Sequence, residues 1–151
     1  MRRRKERTIP IIFVSLIFLG FLIWSLSLFF NQSAPKDVVE SFYKYEQEGD
    51  FGSAWDLFHP IMKDKFSKNA FVTERSHIYM GHYAVSTFKF ELGDSKKLKK
   101  WKMSKDGPEF KDPYSVIVEQ NFKSKFGTFT IKQEVYVIKY KDEWKVVWEY
   151  N

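Results

Sequence analysis

The stretch that decides the fold runs from Tyr114 to Tyr150: YSVIVEQNFKSKFGTFTIKQEVYVIKYKDEWKVVWEY. Its apolar residues alternate with polar ones at period two, the signature of half-buried strands. Residues 114–122 alternate around Val116 and Val118, and 124–127 can turn the chain. Residues 128–140 continue with Phe129, Ile131, Val135 and Val137 on one face. Lys141-Asp142-Glu143 makes a short connection, and the last strand, 144–150, places Trp144, Val146, Trp148 and Tyr150 on one face. Three long strands joined this tightly pair antiparallel.

Upstream the period differs. Residues 84–92 also alternate, with Ala84, Ser86, Phe88, Phe90 and Leu92 opposed to Val85, Thr87, Lys89 and Glu91, and predict an earlier strand. Before Gly81 the spacing is helical. Ser33 and Pro35 open a helix over 36–48 with Val38, Val39, Phe42, Tyr43 and Tyr45 as its stripe, and Gly49 stops it. Asp50 caps a second helix over 51–58 that His59-Pro60 ends. A third runs from Ser67 through Phe71, Arg75 and Ile78 to Gly81. Helices followed by antiparallel strands make an α+β domain, with three helices packed on one side of a curved sheet.

Further upstream, residues 9–30 read IPIIFVSLIFLGFLIWSLSLFF, 22 residues without a charge. As a helix they extend ~33 Å, enough for a hydrocarbon core of ~30 Å. Arg2, Arg3, Arg4, Lys5 and Arg7 against Glu6 carry +4 of the net +6. This cluster keeps residues 1–8 in the cytoplasm and sends 31–151 across the membrane. A cleaved signal peptide fits less well, because Ser25-Leu26-Ser27 lies inside the apolar run with Leu28, Phe29 and Phe30 still to come. The expected location is therefore a cell membrane, single-pass, with an uncleaved signal anchor and an extracytoplasmic domain. Asn31-Gln32-Ser33 matches a glycosylation sequon beside the membrane. The basic balance is a topology signal, and nucleic acid is not an expected partner.

The run from about Ala34 onward resembles the nuclear transport factor 2-like domain at the N-terminus of penicillin-binding transpeptidases. Three matches carry this: Gly49-Asp50-Phe51 with Ala54 and Trp55 at the first helix junction, Thr73-Glu74-Arg75 leading into Ile78-Tyr79, and the closing run 139–149 with its D-x-W-K-V-x-W pattern. The resemblance implies a cone-shaped, cystatin-like fold and an address in the bacterial cell envelope near cell-wall synthesis enzymes. It does not imply transpeptidation. Ser-x-x-Lys occurs at Ser33/Lys36, Ser41/Lys44 and Ser86/Lys89, but neither Lys-Thr-Gly nor Lys-Ser-Gly follows.

With no cysteine, disulfides, thiolate nucleophiles and zinc-thiolate sites are excluded. Relatives of this cone fold include isomerases and dehydratases with a buried Asp, His or Tyr. The residues that would line such a pocket are Asp56, His59, Glu119 and Tyr136, with His77 and His82 beside them. His77 and His82 are five apart, which misses the i, i+4 pairing of an α-helical metal site, so no metal and no cofactor is expected. Lys96, Lys97, Lys99, Lys100, Lys102 and Lys105 crowd one segment around Trp101. That segment is either a solvated hairpin or a contact for anionic headgroups or an anionic envelope polymer. The expected function is a non-catalytic, membrane-anchored interaction module. The alternative is a small-ligand protein or an isomerase- or dehydratase-type enzyme.

Overall fold

A computed structural model describes residues 34–149 together with Ile17, Leu19 and Gly20. The domain lies in one compact unit, Ala34–Asn151. Among the described residues no helix is long and apolar enough to cross a membrane. The span expected at 9–30, apart from those three helical positions, the sequon at 31–33 and Tyr150 lie outside the described residues.

Four α-helices come first: α1 (Pro35–Glu48), α2 (Phe51–Asp56), α3 (Pro60–Lys65) and α4 (Lys68–His77). The cap of α1 is Ala34 and not Ser33, because Pro35 occupies the first turn and the Asp37 carboxylate accepts the Ala34 N–H at 2.9 Å. Gly49 closes α1 at φ +78°, a left-handed conformation that costs glycine little. The Asp50 carboxylate then caps α2 by accepting from Ser53 N–H. The helix α3 is additional to the three expected. The helix α2 ends at Asp56, two residues short of the expected Phe58, and His59-Pro60 starts α3: His59 Nδ1 accepts from Ile61 N–H while Pro60 takes the first helical position. After α4 the chain widens into a single π-helical turn, Ile78–His82.

The strands are β1 (Lys89–Leu92), β2 (Lys96–Lys97), β3 (Lys100–Lys102), β4 (Glu109–Lys111), β5 (Tyr114–Ser124), β6 (Gly127–Tyr140) and β7 (Glu143–Val147). The main sheet has the order β1-β5-β6-β7, all antiparallel, with β2 on the same edge of β5 as β1. The first strand starts at Lys89 and not at Ala84. Ala84 sits at φ +52°, and Val85 and Phe88 are both buried, so the period-two pattern does not hold there. The turn between β6 and β7 is two residues long. Lys141 and Asp142 are both left-handed, as a tight hairpin of this hand requires, and Glu143 already pairs with Tyr140. β3 and β4 form a separate hairpin.

Register assigns the faces. Val116, Val118, Gln120 and Phe122 of β5 stand opposite Val135, Gln133, Ile131 and Phe129 of β6, and this face meets the helices. The other face carries Ser115, Ile117 and Glu119 opposite Tyr136, Glu134 and Lys132. The domain is therefore α+β, four helices on an antiparallel sheet. One further tie closes the sheet edge. His59 N–H donates to Val146 O at 3.0 Å and Val146 N–H donates to Leu57 O at 2.9 Å, so the α2–α3 link pairs with β7.

Candidate functional site

Between helices and sheet the interior is aromatic. Phe42 packs against Phe58 and Trp148, Phe58 against Phe71 and Trp148, and Tyr79 against Phe88 and Phe122, with centroids 4.9–5.7 Å apart. Pairs at this spacing add to the stabilisation that burial alone supplies.

One ionisable cluster penetrates this interior. Glu46 of α1 has a fully buried side chain. Its carboxylate accepts from Arg75 Nε at 2.7 Å and from Arg75 Nη2 at 2.8 Å, a bidentate clasp between α1 and α4. Tyr79 Oη donates to Glu46 Oε2 at 2.8 Å, and Gln120 Nε2 donates to Tyr79 Oη at 3.2 Å, which carries the network to β5. Burial opposes the charge on Arg75, but the neighbouring Glu46 carboxylate outweighs it and holds the guanidinium protonated. Burial first and the Glu46 charge second push the Tyr79 phenol well above its ordinary value. Among the described residues every buried side-chain polar atom has a partner. Such a cluster clamps the helices to the sheet.

Glu46 is absent from the expected apolar stripe of α1, which has Tyr45 in its place. The signal was present: Glu46 follows Phe42 by four residues and Tyr43 by three, and so shares their face. Arg75, its partner, lies in the Thr73-Glu74-Arg75 segment.

The four expected pocket residues do not converge. Asp56 is exposed and pairs with Lys68 Nζ at 2.7 Å. Glu119 pairs with Lys132, and both side chains are largely exposed on the face away from the helices. Tyr136 lies on that same outer face, where its hydroxyl donates to Glu134 Oε2 at 3.0 Å. Burial, with that carboxylate beside it, raises the Tyr136 phenol to about 12. The correction follows from alternation: Val135 and Val137 face the helices, so Tyr136 between them cannot. His59 caps α3 and packs edge-on against Phe110 and Tyr140, and partial burial lowers its pKa.

The lysine segment is a built hairpin. Trp101 is not among its solvent-facing groups: its ring stacks on Tyr136 at 4.1 Å and on Phe110 at 6.1 Å. In the 100–102 register Lys100 and Lys102 therefore point the other way. Lys97 pairs with Asp112 and Lys100 with Glu109, each at 3.2 Å. Lys96, Lys99, Lys102 and Lys105 are exposed and make no ion pair among the described residues. The hairpin thus covers Tyr136 of β6 and His59 with one face and presents cations on the other.

Shallow depressions lie outside the core. One, of about 340 Å³, is lined by residues 84–89 with Asn121, Lys123 and Thr128. Another lies on the outer face between Glu91, Ile117, Glu119 and Lys132. Neither reaches the Glu46 cluster. No group of three or more metal-ligating side chains is present among the described residues. No protein-family model matches the chain, and no curated protein matches it.

Proposed function

We propose that this chain is a non-catalytic interaction module: a cone-shaped, nuclear transport factor 2-like domain held outside the cytoplasm by a membrane anchor at residues 9–30, beside cell-wall synthesis enzymes. The observation that carries the reading is the filled interior. Where an isomerase of this shape would need an open cone with an acid or base facing it, this domain has interlocked aromatic rings and a fully engaged Glu46–Arg75 pair.

The lysine hairpin supplies the contact chemistry, an anionic surface of the envelope. Its position favours this. Gln47 at the C-terminal end of α1 bonds Phe88 O, Tyr43 bonds Gln133, and Phe42 packs on Trp148. The helix therefore runs back along the sheet, and its Pro35 end points toward the end where β2 pairs with Tyr114. Lys96 and Lys97 belong to that same end of the domain. Each lysine near an anionic surface contributes about 1 kcal/mol.

Photo-crosslinking in intact cells from positions 99, 102 and 105 tests the reading. Recovery of a cell-wall synthesis enzyme or an anionic envelope polymer is expected. Crosslinks to cytoplasmic proteins, or no envelope component above background, would overturn it.

A further inference from the structure

We propose that His77 and His82 form a two-imidazole site for a single first-row divalent cation, built by the π-helical turn. In an α-helix residues five apart diverge around the axis, which is why their spacing argues against a metal. A π-helix bonds i to i+5 and brings that spacing back onto one side. Here the turn spans Ile78–His82, Tyr83 N–H donates to Ile78 O at 2.9 Å, and His77 immediately precedes it. The two rings meet at 4.8 Å between centroids and 83° between planes.

That separation suits a shared cation. With metal–nitrogen bonds of about 2.1 Å and a ligand angle of roughly 90–109°, two imidazoles place their centroids roughly 4.5–5.2 Å apart. Both residues are exposed, and neither is drawn into an ion pair or side-chain hydrogen bond among the described residues. Gly81 belongs to the same arrangement. A Cβ there would stand 3.1 Å from His77 Nδ1 and 3.2 Å from its Cε1, close enough to press the ring a few tenths of an ångström off its place over the turn. Two protein nitrogens leave the remaining coordination positions to water. Among divalent ions such a nitrogen pair favours Cu²⁺ over Ni²⁺ and Zn²⁺. Protons compete for the same nitrogens, so affinity falls as the solution is acidified.

The test is titration of the full chain, purified in mild detergent, with Cu²⁺ and separately with Zn²⁺. One equivalent of Cu²⁺ is expected to bind more tightly than Zn²⁺, with an electron paramagnetic resonance spectrum showing two equatorial nitrogens. His77→Ala or His82→Ala should each weaken Cu²⁺ at least tenfold and leave one nitrogen. Gly81→Ala should weaken it with the circular dichroism spectrum unchanged, whereas His59→Asn should leave binding as it was. The proposal is overturned if the His77→Ala/His82→Ala double variant binds Cu²⁺ with the affinity and spectrum of the parent chain.

Discussion

The two faces of the main sheet are built on different principles. The helix side is sealed: Val116, Val118, Val135 and Val137 are fully buried under α1, and the Glu46–Arg75 pair is consumed inside the network with Tyr79 and Gln120. The opposite side carries a hairpin that lays Trp101 on Tyr136 of β6 and Phe110 against His59, and keeps its lysines in water. One face carries the buried core, and the other presents the hairpin's charges to solvent. A buried charge is costly when its partner goes, while an exposed one hardly affects stability.

The largest break in that contrast is expected at Glu46. Glu46→Ala strands the Arg75 guanidinium and the Tyr79 hydroxyl in the interior and should cost about 3–5 kcal/mol in denaturant unfolding. A loss below 1 kcal/mol would mean that the cluster is not a clamp. Trp101→Ala should cost about 2 kcal/mol, less than a fully buried aromatic, because the ring is only half-buried on Tyr136. It should also detach the hairpin, seen as faster amide exchange over residues 100–111.

A smaller effect is expected from pH. Partial burial holds the folded-state pKa of His59 below its unfolded value, so the unfolded chain takes up a proton first as the solution is acidified. Stability should therefore fall as pH drops below about 6.5, until His59 is also protonated in the folded state. His59→Asn should flatten that slope in thermal unfolding followed from pH 7 to 5. Smallest of all, Lys99→Glu, Lys102→Glu and Lys105→Glu should each shift unfolding by less than about 0.5 kcal/mol. Combined, they should release the full chain's domain from anionic vesicle surfaces. A large stability change would place these side chains in the fold and not on its contact surface.

The strands were legible because 117–122 and 129–135 alternate in burial, although Val135–Ile138 are all buried, and Phe126-Gly127 marks the turn. The helix α3 was hidden because His59-Pro60 reads as a stop where it is a start, and periodicity cannot tell the two apart over six residues. Residues 84–88 mimic a strand while being pinned by other means: Val85 N–H donates to Tyr79 O, and the Gln47 amide donates to Phe88 O. For the site, the chemistry-bearing residue types were visible but their directions were not. Tyr136 and Glu119 are assigned to the outer face by strand phase, and a shift of one residue in phase exchanges inside for outside. His77 and His82 were read on an α-helical ruler, and the π-turn changes the ruler.

The pairing of the α2–α3 link with Val146 bears on the order in which the chain can fold. Leu57 and His59 are synthesised long before Val146, and Phe58 waits for Trp148 to complete its aromatic neighbourhood. While the chain emerges vectorially, from a ribosome or through a membrane pore, the helices have no sheet edge to lock against until β7 follows. The domain must therefore stay open until its last strand arrives, and deleting residues 143–148 would unravel the first half of the domain along with the last.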